Sequence, residues 1–303
     1  GWANRDIVGW FSEYADLVTR TFGDRVKNWM IFNEQASFVS LGYMLGMHAP
    51  GKKSVGKFTK AVHHSNLALA EAGRIARQNV QDGNIGSTWS CSHVEPRDAT
   101  KSKDLKAVER VDALMNRIYI EPSLGMGYPT DAYWVIRRIE KHMEAGDEQK
   151  LVFDFDFYGL QNYFRAVVKH ALFPPFVWTQ QIDKEDLADH LGHDIKTTQM
   201  GWEVHPEGIY KILMQFHEKY NLPKIIVTEN GAAFPDTLEN GRVHDKDRKQ
   251  YYQDYIGQVL RAKRDGAPID GYFAWTYMDN FEWAEGYHPR FGIVHVDFET
   301  QKR

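Results

Sequence analysis

Apolar positions recur at helical spacing from the start of the chain. Over residues 4–22, Ile7, Phe11, Tyr14, Ala15, Val18 and Phe22 share one face, and Gly23 follows as a stop. Trp29-Met30-Ile31-Phe32 is then an unbroken apolar run of the kind that forms a buried strand, ending at Asn33-Glu34. A stretch rich in Gly and Pro predicts a loop up to about Lys57, before a helix carrying Val62, Asn66, Leu69, Ala70 and Ile75. The alternation continues with a strand at 84–90, helical patterns near 103–119 and 131–145, and a third strand at 155–163. Residues 206–220 place Ile209, Ile212, Leu213 and Phe216 on one helical face behind a Pro at the start. A continuous strand at 224–228, a helix at 246–264 and a strand at 269–276 complete the series. The segments 164–200 and 279–303 read as irregular, and no repeat or inter-domain linker interrupts the chain.

Strand–helix alternation predicts an α/β fold with a parallel sheet. A (β/α)₈ barrel and a doubly wound open sheet both satisfy it. No Gly-x-Gly-x-x-Gly follows the first strand and there is no P-loop, which weakens the nucleotide-binding version. Thirty-seven basic against 41 acidic residues give a net charge of −4, which is no footprint for a nucleic-acid backbone. No apolar run reaches the roughly 18 residues of a membrane span. The expected partners therefore include neither nucleic acid nor membrane. A lone cysteine, Cys91, excludes an internal disulfide framework; it fits a reducing, cytoplasmic compartment and is compatible with secretion.

Two strands end in a glutamate beside an asparagine, at Asn33-Glu34 and at Glu229-Asn230. Carboxylates projected from strand ends into one barrel mouth suit glycoside hydrolysis. One protonates the leaving oxygen while the other attacks the anomeric carbon, and retention needs the two about 5–5.5 Å apart. A strand-end glutamate can equally cap a loop or pair with an arginine. Aromatic residues make up 14% of the chain, a level that serves either sugar stacking or a large aromatic core. His63-His64 and the His190/His193 pair lack metal-ligand spacing and read as surface histidines, so no metal and no cofactor is expected.

The segments IFNEQ, GLQNYF, MGWEVHPEGIY, IIVTENGAAFPD and GYFAWTYMDNFEWAEGYHPRFGIVHVD resemble glycoside hydrolase family 1 in order and spacing across nearly the whole chain. The resemblance implies a single catalytic domain over 1–303 with the α/β fold of a (β/α)₈ TIM barrel, of which this chain supplies strands 4–8. It implies Glu34 as the general acid/base and Glu229 as the nucleophile of a retaining, exo-acting β-glycosidase. Asn33 would meet the sugar 2-hydroxyl, Tyr163 would donate to Glu229, Trp275 would pack under the glycone, and Glu282 and Trp283 would bond its outer hydroxyls. The Asn-Phe-Glu-Trp stretch at 280–283 implies unphosphorylated β-glucosides or short oligosaccharides, with galactosides or fucosides also accommodated.

Three departures stand out. Gln35 and Ala36 replace the Pro and Trp that usually follow the acid/base glutamate, implying a less aromatic leaving-group side. Gln161-Asn162-Tyr163 replaces Asn-Tyr-Tyr; a gapless match keeps Tyr163 against the nucleophile and a one-residue slip would move it. Only 28 residues precede Trp29, too few for three βα units, so an absent amino-terminal segment is expected. On that basis the expected partners are a complementing amino-terminal segment or a second copy of the chain. A catalytically silent, sugar-binding fragment is the rival reading.

Overall fold

A computed structural model of the chain describes residues 1–172 and 177–303. Among these, ten strands run in chain order: β1 (Asn28–Asn33), β2 (Asn84–Ser90), β3 (Val94–Pro96), β4 (Phe157–Gln161), β5 (Ala166–His170), β6 (Thr179–Gln181), β7 (Ile225–Asn230), β8 (Leu238–Glu239), β9 (Arg242–Val243) and β10 (Ile269–Ala274). All five strands expected from the apolar runs are present, as β1, β2, β4, β7 and β10. The chain forms two compact units, Gly1–Cys91 with Glu109–Leu160, and Ser92–Val108 with Gln161–Arg303.

In the first unit β1 and β2 are parallel, with Trp29 opposite Ile85, Met30 opposite Gly86, and a register shift before Asn33. β2 lies between β1 and β4. Gly86 is required by packing, because a Cβ there would lie 2.5 Å from the Phe157 ring. Trp89, Phe153, Phe155 and Tyr158 pack into one aromatic cluster, with Trp89 stacked on Tyr158 at 5.4 Å. Much of the aromatic content is therefore core.

The helix α1 (Ile7–Phe22) forms where the periodicity placed it. The longer α2 (Val55–Asn79) starts earlier than expected, at an N-cap where Ser54 accepts from the Lys57 N–H. Its buried residues surround the axis, Ala61, Val62, Ala68, Leu69, Ala70 and Ala72 among them, as a central helix requires. His63 and His64 are buried in it, which corrects their reading as surface residues. His63 Nε2 meets Asp147 Oδ2 at 2.9 Å, and this hydrogen bond offsets the desolvation that burial imposes. The Gly/Pro-rich stretch before α2 is not all loop: Ser37–Leu45 is a π-helix. The patterns near 103–119 and 131–145 break into short α, π and 3₁₀ pieces, and only Ser102–Asp112 is a regular helix of length.

In the second unit β7 and β10 are parallel, with Ile225 opposite Ile269 and Asn230 opposite Ala274. Helices Glu207–Lys219 and Lys246–Arg264 match their expected spans. The expectation of an irregular 164–200 does not hold. β5 pairs in parallel with β3 and antiparallel with β6, and helix Lys184–Leu191 starts at a side-chain cap from Asp183. Val167, Ile182, Leu187 and Ile195 give this subsheet its own small core. Residues 173–176, part of the same expected stretch, lie outside the described residues. No helix among the described residues is long and apolar enough to cross a membrane.

Candidate active site

Glu34 follows the last residue of β1, half-buried, with a left-handed backbone at φ 48°. Non-glycine residues keep that conformation only where their surroundings impose it. The Glu34 N–H donates to Thr88 O at 3.1 Å, and Glu34 O accepts from Ser37 N at 2.8 Å. The Ser37 hydroxyl, at the first residue of the π-helix, donates to Glu34 Oε2 at 2.8 Å. Burial raises the Glu34 pKa above its ordinary value, while hydroxyls from Ser37 and Ser90 and the charge of His48 pull it back in part. This carboxyl keeps its proton to higher pH than a solvated one. Asn33, the last residue of β1, is exposed.

Glu229 sits one residue before the end of β7. The Tyr163 hydroxyl donates to Glu229 Oε2 at 2.6 Å, and Gln161 Nε2 donates to Oε1 at 2.5 Å. The gapless placement of Tyr163 therefore holds. Two donors, one on each oxygen, suit an ionised carboxylate. Gln161 was not among the expected site residues. The signal was present, since Gln161 and Tyr163 are two positions apart and so share a face of extended chain.

The surroundings of Glu229 are tied down strand by strand. The Asn162 N–H donates to Glu229 O at 3.1 Å. Buried Asn230 donates to Asn162 O at 2.7 Å and to Tyr251 Oη at 2.9 Å, and accepts from Tyr272 Oη at 2.7 Å. The Tyr163 ring packs against Trp202 and Phe291. Two residues on, Arg165 grips both oxygens of Glu203 at 2.8 and 2.9 Å and reaches Glu95 at 2.7 Å, where Lys211 also binds. This charged cluster fixes the segment that presents Tyr163. It draws on residues distant in sequence, and no local pattern announces it.

Trp275 lies just past β10. A Cβ on Gly231 would fall 1.7 Å from Trp275 O, so only glycine permits this approach of the two chain segments. The Trp275 N–H donates to Asn230 O at 2.9 Å, and Tyr252 Oη donates to Trp275 O at 2.9 Å. Asp279 organises the following loop, accepting from Arg290 at 2.7 Å and from the Gly292 and Val296 N–H groups at 3.0 Å. Glu282 and Trp283 are carried on that loop. Glu282 is half-buried, and Trp283 is 74% exposed. A side chain open to solvent is available to a hydroxylated ligand. Cys91 is buried past the end of β2, and burial pushes its thiol pKa up.

Carboxylates and polar side chains at the carboxyl ends of parallel strands are the arrangement found in α/β enzymes of the (β/α)₈ class. A model of the family described as Glycosyl hydrolase family 1 matches residues 1–303. The chain belongs to this family. It is 40% identical over its whole length to Beta-glucosidase A of Thermotoga maritima, covering 66% of that protein. It is 34% identical over its whole length to a bifunctional beta-D-glucosidase/beta-D-fucosidase of Bifidobacterium breve, covering 67% of it. Among solved structures, a family 1 b-glucosidase from Thermotoga maritima matches with a TM-score of 0.91 at 38% identity, over 100% of this chain and 66% of that one. The same organism's beta-glucosidase in complex with deoxynojirimycin matches with a TM-score of 0.90 at 39% identity, with the same shares covered. The chain thus spans about two thirds of the length of these relatives.

Proposed function

We propose that this chain carries the catalytic carboxylates of a retaining, exo-acting β-glycosidase that hydrolyses unphosphorylated β-glucosides. Glu229 attacks the anomeric carbon and forms a covalent glycosyl-enzyme, while Glu34 gives its proton to the departing glycosidic oxygen. Glu34, now ionised, then takes a proton from water as that water displaces Glu229 and restores both groups. The observation that carries this reading is the contrast between the two environments. Burial raises the Glu34 pKa and so favours its protonated form, whereas Tyr163 and Gln161 donate to both oxygens of Glu229. Environments that push two carboxyl groups apart divide the acid from the nucleophile.

The remaining roles follow the family pattern. Asn33 meets the 2-hydroxyl, Trp275 packs beneath the glycone, and Glu282 and Trp283 bond its outer hydroxyls. Names and ligands of the relatives support a glucoside, with fucosides accommodated. A 2-deoxy-2-fluoro-β-glucoside with a dinitrophenolate leaving group tests the assignment, since the fluorine slows breakdown of the covalent intermediate. Peptide mass spectrometry should find one fluoroglucosyl group on Glu229. A label on Glu34, or no label, would sink the proposed division of roles.

A further inference from the structure

We propose that Gln35 is a positioning residue for Glu34, tying the backbone of the acid/base glutamate to the buried face of α2. The proposal rests on the reading of Glu34 given above. Gln35 is fully buried, beside a Glu34 whose backbone is left-handed. One Nε2 hydrogen goes to Ser65 Oγ and the other to Asn66 Oδ1, each at 2.7 Å. Both acceptors are in turn committed. The Ser65 hydroxyl donates to Val62 O at 3.1 Å, leaving a lone pair for Gln35. Asn66 Nδ2 donates to Ile118 O at 3.0 Å and to Tyr128 Oη at 3.3 Å.

The chain of bonds continues inward. Tyr128 Oη meets His63 Nδ1 at 3.1 Å, His63 Nε2 meets Asp147 Oδ2 at 2.9 Å, and Arg5 donates to Asp147 Oδ1 at 2.6 Å. Ser65, Asn66, His63 and Asp147 are all buried. A side chain held by such a connected set has little rotational freedom, and it restrains the backbone that bears it. Glu34 itself is held on its other side by Thr88 O and by the turn to Ser37. Its left-handed backbone is thus fixed from β2, from the π-helix and, through Gln35, from α2. At the second position after β1, an apolar residue of equal size would fill the same space and supply none of the two donors.

Gln35→Met makes that change, and Ser65→Ala removes a single acceptor should the first variant fail to fold. Hydrogen exchange read by mass spectrometry on the 1–303 chain follows the amides of residues 32–37 without needing turnover. Exchange there should rise about tenfold in Gln35→Met, and less in Ser65→Ala, with β2 and the rest of α2 unchanged. In kcat/KM, which reports the glycosylation step, Gln35→Met should slow glycosides with poor leaving groups about tenfold or more, and leave dinitrophenyl glucoside, whose departure needs no proton, within about twofold. Unchanged exchange, or a rise spread evenly over α2 and β2, overturns the proposal, as does equal slowing of both substrate types. Glu34→Ala is the control. If it shows no dependence on the leaving group, the acid/base reading of Glu34 fails, while the exchange data still report whether Gln35 holds this backbone.

Discussion

At Glu34 burial and hydrogen bonding pull in opposite directions, and burial wins. If Glu34 is the acid, turnover falls as pH rises through its raised pKa, so the basic limb should lie above the ordinary carboxylate range of about 4.3. Ser37→Ala removes a donor that favours the ionised form, and the limb should then move to still higher pH. A rate–pH profile of the two proteins checks this; a limb that stays or moves to lower pH contradicts the placement of the Ser37 proton. The two glutamates were legible because each ends an apolar run beside an asparagine. Ser37 was not, since its bond to Glu34 depends on a turn that periodicity does not describe. Gln161 was half-legible: its spacing from Tyr163 was visible, but which carboxylate faced it was a matter of folding.

Among the elements, α2 shows how packing overrides local reading. Its polar residues suggested a solvent face, yet His63 and His64 are enclosed. Burial lowers the His64 pKa to about 4, against the opposing bond from its ring to Trp2 O, with the charges of His63, Arg5 and His142 adding to the lowering. Burial lowers that of His63 as well, against its contact with Asp147. A histidine whose folded pKa lies below the unfolded value of about 6.5 binds its proton more readily when unfolded. Stability should therefore be full above that value and fall as pH drops toward 4, by on the order of 3 kcal/mol for His64. His64→Gln should flatten the decline in denaturant midpoint between pH 7 and pH 4.5, and an undiminished slope would place the proton elsewhere. The strands were easier to read than this helix. Continuous apolar runs bounded by polar residues leave few alternatives, whereas the π-helix at Ser37–Leu45 contains Gly42 and precedes Gly46 and Pro50, a composition that resembles loop.

For the molecule as a whole, the alternation along the chain was enough to recover α/β class and the strands β1, β2, β4, β7 and β10. The subsheet of β3, β5 and β6 escaped notice because β3 and β6 have only three residues each and its core is four residues wide. One surface has consequences in solution. Trp10, Tyr14 and Leu17 are 50%, 60% and 66% exposed along one side of α1, at spacings that bring them together. Met30 in β1 is 46% exposed as well. An apolar stripe of this kind promotes association. Purified 1–303 should show concentration-dependent mass by light scattering, and Trp10→Lys with Leu17→Lys should reduce it. A monodisperse monomer at all concentrations would show that the stripe is tolerated.

Every residue of β4, Phe157 to Gln161, is buried, so neither side of that strand is marked as inner or outer by polarity. The two donors to Glu229 stand at its last residue and two positions beyond. Gaining or losing one residue within the strand would leave its apolar character nearly intact. It would also turn Gln161 and Tyr163 away together and offer Asn162 in their place. The segment behaves like a reading frame, in which a shift of one keeps the same letters and garbles the message.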